Sequence, residues 1–214
     1  MGKVQIHKIP VTGPPGVIQV QVFTPTPDAI AKGCLSTPEG KLPAHLDFHG
    51  GGFVIGSLES DESWCRQACQ ALGCIIVNVD YRLAPEYPHP VPLMDCWAAL
   101  KWTFENTSEL NIDEKRVSVG GLSAGGQLAA VCALLARDEP EMPKLVLQIL
   151  IVPVVDARFV PLEFDVSCAA DVPYESLKTN EFAPCLPLHR LVWFYNLWLG
   201  VDHGMIQVFS SYIC

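Results

Sequence analysis

Val117-Ser118-Val119-Gly120-Gly121-Leu122-Ser123-Ala124-Gly125-Gly126 is the stretch from which the rest of the chain is best read. A short apolar run leads directly into glycines, and an Ala/Leu-rich helical segment follows to about Arg137. A buried strand that turns sharply into a helix needs small residues at the corner, because neighbouring backbones pass closely there. Gly121 and Gly125 hold those places on either side of Ser123. A serine hydroxyl is a weak nucleophile until it is presented tightly and a base takes its proton. Such a corner supplies the presentation. The helix start adds N–H groups and a positive dipole end facing an oxygen that gains charge. Ser123 is therefore the candidate catalytic nucleophile. The bland alternative is a glycine-rich turn that merely opens a helix.

Upstream, His49-Gly50-Gly51-Gly52-Phe53 follows a short strand predicted at residues 44–48. Three successive glycines expose backbone N–H groups with no side chain in the way. Such donors meet the oxyanion of a tetrahedral intermediate, together with the N–H of the residue after the nucleophile, Ala124. An ordinary turn needs one or two glycines, so the pairing of this loop with Ser123 favours the catalytic reading.

The intervening segments alternate in type. Residues 61–72 have helical periodicity with Gly73 as a stop signal, and 74–79 form a nearly continuous apolar strand. Residues 92–106 read as a helix with proline in its first turn, 117–119 as a short strand, and 145–152 as a core strand. Residues 4–24 read as two strands around a Gly13-Pro14-Pro15-Gly16 turn at a sheet edge, and 25–43 as a surface loop. Strand and helix in alternation imply right-handed βαβ units. The class is α/β, with a mostly parallel sheet and flanking helices.

His49-Gly50-Gly51-Gly52, Asp80-Tyr81-Arg82-Leu83-Ala84-Pro85-Glu86 and Gly121-Leu122-Ser123-Ala124-Gly125-Gly126 occur in that order. Together they resemble the hormone-sensitive-lipase-like family of α/β-hydrolases, over roughly residues 17–156. The resemblance implies an α/β-hydrolase fold and hydrolysis of carboxylic esters without a cofactor. It implies Ser123 as nucleophile and the N–H groups of Gly51, Gly52 and Ala124 as oxyanion hole. His49, Gly50, Gly121 and Gly125 would support that geometry. Asp80, Arg82 and Glu86 would form an internal scaffold, with the arginine and the acids pinning the loop beneath the site. Leu122 stands where many relatives have aspartate, and the N-terminal helices that begin the lid in many relatives are not expected in this sequence.

Composition narrows the classes. Of 214 residues 50% are hydrophobic and 17% charged, the balance of a globular chain. A net charge of −9 with scattered Lys and Arg argues against nucleic-acid and anionic-membrane partners. No apolar run reaches membrane-spanning length, and the N-terminus lacks a signal-peptide pattern. A cytoplasmic protein is expected, and the resemblance implies a small-molecule ester substrate. Nine cysteines without a regular framework read as buried, reduced thiols and not as metal ligands; no metal or other cofactor is expected.

After Asp156 the pattern weakens. We divide the chain into an α/β-hydrolase core (1–156), a lid- or cap-like segment with an aromatic helix (157–200, the helix at 188–200), and an irregular tail (201–214). In the family order an acid and a histidine follow the serine on loops after two further strands, and neither is identifiable here. The fold is thus expected to be incomplete at the C-terminus. Asp202-His203 has the right order, but adjacent residues point apart, whereas a triad needs separate loops. Asp156 reads as structural or pocket-lining, and His189 as surface or core. The site residues fit either an esterase- or lipase-like hydrolase or a non-catalytic small-molecule binding protein on the same fold.

Overall fold

The computed structural model describes residues 2–33, 36–156 and 174–200. Two antiparallel strands, β1 (Lys3–Thr12) and β2 (Pro15–Thr24), open the chain. Helix α1 (Pro27–Gly33) follows, and then strand β3 (Leu42–Phe48), helix α2 (Leu58–Leu72), strand β4 (Ile75–Asp80) and helix α3 (Val91–Glu105). Strand β5 (Ile112–Leu122), helix α4 (Ala124–Asp138), strand β6 (Leu147–Ile151) and helices α5 (Glu175–Thr179) and α6 (Leu188–Leu199) complete it. The sheet order is β1-β2-β4-β3-β5-β6, with β4, β3, β5 and β6 parallel. This is the mostly parallel α/β arrangement expected from the sequence.

Composition explains the centre. β3 and β4 are buried almost throughout, because helices cover both faces. Under α2 lies a small cluster of Phe23, Cys65, Cys69, Cys74 and Ile76. The larger cluster joins Leu46, Val77 and Val119 of the sheet to Leu100 of α3, Leu128 of α4 and Val192 and Trp198 of α6. Cys65, Cys69, Cys74, Cys96 and Cys132 are buried free thiols. α2 stops at Gly73, whose left-handed φ of 66° tolerates no side chain cheaply.

Three expectations need correction. The 25–43 segment is not all loop: Thr26 Oγ1 accepts from the Ala29 N–H at 3.2 Å, and Pro27 takes the first helical position of α1. The strand before Ser123 is much longer than 117–119, since β5 begins at Ile112 and continues through Asp113 to Arg116, which are exposed or half-buried. The strand expected in the core at 145–152 is five residues long and, among the described residues, pairs on one side only, with β5. There Leu147 is 55% exposed and Ile151 44%. An apolar run alone cannot tell a covered strand from an uncovered one.

Among the described residues no helix is long and apolar enough to cross a membrane. The aromatic helix at 188–200 forms as α6, ended by left-handed Gly200, and buries Leu188, Val192, Tyr195 and Trp198 in the main cluster. The tail at 201–214 lies outside the described residues.

Candidate active site

Parallel pairing brings the two glycine-rich motifs together. The register places Phe48 opposite Gly121, so the loop after β3 and the turn after β5 leave the same edge of the sheet. The approach there is closer than a side chain permits. A Cβ on Gly121 would stand 2.3 Å from the Phe48 carbonyl oxygen, and one on Gly125 would stand 1.8 Å from it. Both glycines are structural necessities of the corner.

Ser123 sits at that corner with φ 56° and ψ −113°, a conformation costly for a residue with a Cβ. Neighbouring bonds hold it there. Its N–H donates to Ile151 O at 2.8 Å, and its carbonyl accepts from the Gln127 N–H at 3.2 Å. The residue remains partly exposed. Its hydroxyl has no hydrogen-bond partner among the described residues. As first residue of α4, Ala124 has no intrahelical acceptor for its N–H.

The facing loop has equally constrained geometry. Gly51 and Gly52 have φ of 117° and 60°. A Cβ on Gly51 would fall 1.9 Å from Ile55 O. The Gly51 carbonyl accepts from the N–H groups of Val54 and Ile55 at 3.1 and 3.0 Å, which closes the turn. Among the described residues the N–H groups of Gly51 and Gly52 donate to nothing. Gly50 packs against Leu122, where an added Cβ would lie 3.2 Å from its carbonyl oxygen.

His49 anchors this loop from beneath and is fully buried. Its Nδ1 lies 2.7 Å from Gly50 O, so that nitrogen carries the hydrogen and donates. The ring stacks on Tyr81 at 4.2 Å, and the Tyr81 hydroxyl donates to His49 O at 2.7 Å. Burial lowers the His49 pKa, against the Gly50 bond and the nearby Asp61 and Asp80, which raise it. Burial likewise raises the Asp80 carboxyl, and His49 partly offsets this.

Arg82 is held, but not by the acids expected. Its Nε and Nη2 donate to Asp95 Oδ2 and Oδ1, each at 2.8 Å, and its backbone N–H donates to Oδ2 at 3.0 Å. Nη1 reaches Pro14 O at 2.9 Å. Asp95, on α3, is fully buried. Glu86 is exposed and bonds to no side chain among the described residues, while Asp80 lies beside His49. The loop is thus pinned by Tyr81 and by the Arg82–Asp95 pair. Sequence reading gave Arg82 its pinning role but missed its partner Asp95: an aspartate inside an apolar helix gives no sign of which arginine it meets.

Ser123, Gly51, Gly52, Phe53 and Ile55 line a cavity of about 750 Å³. Its opposite wall runs from Leu186 to Tyr195 on and before α6. The two walls touch: a Cβ on Gly52 would lie 2.4 Å from the Phe194 ring. Phe53 also stacks on Trp198 at 4.1 Å. His189 is exposed and lines this cavity. Asp156 accepts from the Tyr174 hydroxyl at 2.9 Å. The Asp202-His203 pair falls outside the described residues. Among the described residues no three His, Cys, Asp or Glu side chains gather as a metal site would require.

Residues 45–206 match the family described as alpha/beta hydrolase fold. Esterase LipI of Mycobacterium tuberculosis is 34% identical over 200 residues, covering 92% of this chain and 55% of its own. EstE1, a thermophilic carboxylesterase cloned from a metagenomic library, superposes with a TM-score of 0.77 at 37% identity. That match covers 93% of this chain and 60% of EstE1. A bacterial heroin esterase superposes with a TM-score of 0.80 at 31% identity, covering 99% of this chain and 59% of that one. The chain spans about half the length of the curated relatives it matches.

Proposed function

Because the chain belongs to the alpha/beta hydrolase fold family, we propose that it carries the nucleophile half of a serine carboxylic-ester hydrolase site. The observation that carries this reading is the strained Ser123 turn beside the unengaged Gly51 and Gly52 N–H groups. Ser123 Oγ attacks the ester carbonyl and gives its proton to a base. The carbonyl oxygen becomes an oxyanion that accepts from the N–H groups of Gly51, Gly52 and Ala124. Collapse expels the alcohol and leaves an acyl-serine, which water hydrolyses to the acid. Each donor to the oxyanion contributes about 3 kcal/mol at the transition state. The substrate is a small carboxylic ester, no cofactor enters, and α6 acts as the cap over the acyl or alcohol group.

The base sets the rate. No described side chain accepts a hydrogen bond from Ser123. An oxyanion hole acting without its triad still accelerates hydrolysis by about 10³ to 10⁴ over water. A second reading, a small-molecule binding protein on the same fold, is favoured by that unpartnered hydroxyl above a 750 Å³ cavity. Turnover of a 4-nitrophenyl ester separates the two. Hydrolysis abolished by Ser123→Ala supports the enzyme; hydrolysis equal in both proteins, or ligand binding without turnover, supports the receptor.

A further inference from the structure

The cavity facing Ser123 has apolar walls and one charged corner. Arg190, in the first turn of α6, lines it, and among the described residues no acidic side chain does. Its Nη1 donates to Cys185 O at 3.0 Å, which orients the guanidinium and leaves its remaining N–H groups for another acceptor. Among the described residues the acids around this wall are engaged elsewhere or form no ion pair with Arg190. Asp156 accepts from Tyr174 and helps raise the Tyr195 phenol, after burial as the larger cause. Glu181, on the loop before α6, gives its carbonyl oxygen to the Leu188 N–H, and among the described residues it forms no ion pair with Arg190. His189 beside it adds no negative charge. A planar, permanently charged fork at the edge of an apolar cavity is suited to a carboxylate or similar oxyanion.

We propose that Arg190 is a specificity-determining residue that selects ligands with an apolar body and an anionic group. Under the hydrolase reading, on which this rests, the preferred substrate is an ester bearing a second, ionised acid group remote from the scissile carbonyl. The body lies against Phe194 and Trp193, and the anion pairs with Arg190 at the outer end. The chain's net charge of −9 makes the preference informative: the overall field repels anions, so selectivity for one must come from a local cation.

The test is calorimetric titration of the whole chain with 4-phenylbutyrate and with its neutral counterpart 4-phenylbutanol, which share a body and need no turnover. The expected result is at least threefold tighter binding of the carboxylate at low salt, shrinking at high salt. Arg190→Gln is expected to equalise the two ligands and Arg190→Lys to restore part of the difference. Arg190 is exposed, so both variants should melt as the parent does. Equal binding in the parent, an intact preference in Arg190→Gln, or no binding of either ligand at millimolar concentration would overturn the proposal. Ser123→Ala should keep the preference, so loss of esterase chemistry and loss of anion selection are read separately.

Discussion

Replacing Asp95 by alanine should destabilise the chain while removing no atom of the cavity wall. Asp95 is fully buried, and the Arg82 side chain facing it is 11% exposed. The substitution removes three hydrogen bonds from Arg82, two of them from the guanidinium. It leaves the Pro14 bond and the stacking of the guanidinium over the Tyr87 ring at 4.7 Å. Breaking a buried pair from one side costs about 3–5 kcal/mol. Water can reach part of this arginine, so the low end, about 3 kcal/mol, applies. For a domain of this size that lowers the melting temperature by about 6–12 °C. Asp95→Asn keeps the volume and one acceptor and should lose roughly half as much. Replacing both partners by apolar residues of similar size should recover part of the loss, since no charge is left stranded. Thermal melts of the four proteins, followed by circular dichroism, make the comparison. A melting temperature for Asp95→Ala within about 2 °C of the parent would refute the argument that this pair holds the 81–87 loop.

Tyr81→Phe removes the 2.7 Å bond to His49 O while keeping the stacked ring. It should lower kcat for ester hydrolysis about tenfold with little change in KM, as expected when about 1.4 kcal/mol of positioning is lost; a pure KM effect would contradict it. Burial sets two neighbours on β3 against each other: it lowers His45 to about 4 and, helped by Asp61, raises Asp47 to about 7. The unfolded chain binds the extra His45 proton between about 4 and 6.5, so that contribution to stability grows as pH rises. The folded chain binds the extra Asp47 proton from its unfolded value up to about 7, so that contribution shrinks as pH rises. Asp47→Asn should therefore add a positive slope of up to about 1.4 kcal/mol per pH unit across pH 4.5–6; urea melts of both proteins with parallel pH profiles would show otherwise. Leu147→Lys, on a strand that pairs only with β5 among the described residues, should reduce light scattering at high concentration with no loss of melting temperature. Undiminished scattering would mean that this strand is not the route to association.

The features legible in the sequence were those set by local backbone demands. Gly121 and Gly125 are required because a Cβ at either would stand within 2.3 Å of the Phe48 carbonyl oxygen, so their spacing around Ser123 announces the corner before any fold is known. Gly73 and Gly200 end helices for the same kind of local reason. The start of α1 was also written locally, in Thr26 and Pro27, but the surrounding Pro/Gly-rich composition obscured it. The obscure features depend on partners far apart in sequence. Tyr81 meets His49 across 32 residues, and Arg82 meets Asp95 across the entry to α3. Likewise, nothing local to Leu147-Gln148-Ile149 reveals that this apolar strand is exposed and, among the described residues, pairs only with β5. His189 and Arg190 joined the cavity only because α6 folds back onto the Gly52 loop, a long-range event with no local signature.

Ser123 as an activated nucleophile is tested most directly by a fluorophosphonate probe, with the modified peptide identified by mass spectrometry. The expected result is a single adduct on Ser123, absent in Ser123→Ala and weakened when Gly52→Ala pushes against the Phe194 ring. A folded, cooperatively melting sample that takes no label at Ser123, or is labelled equally in Ser123→Ala, would contradict it.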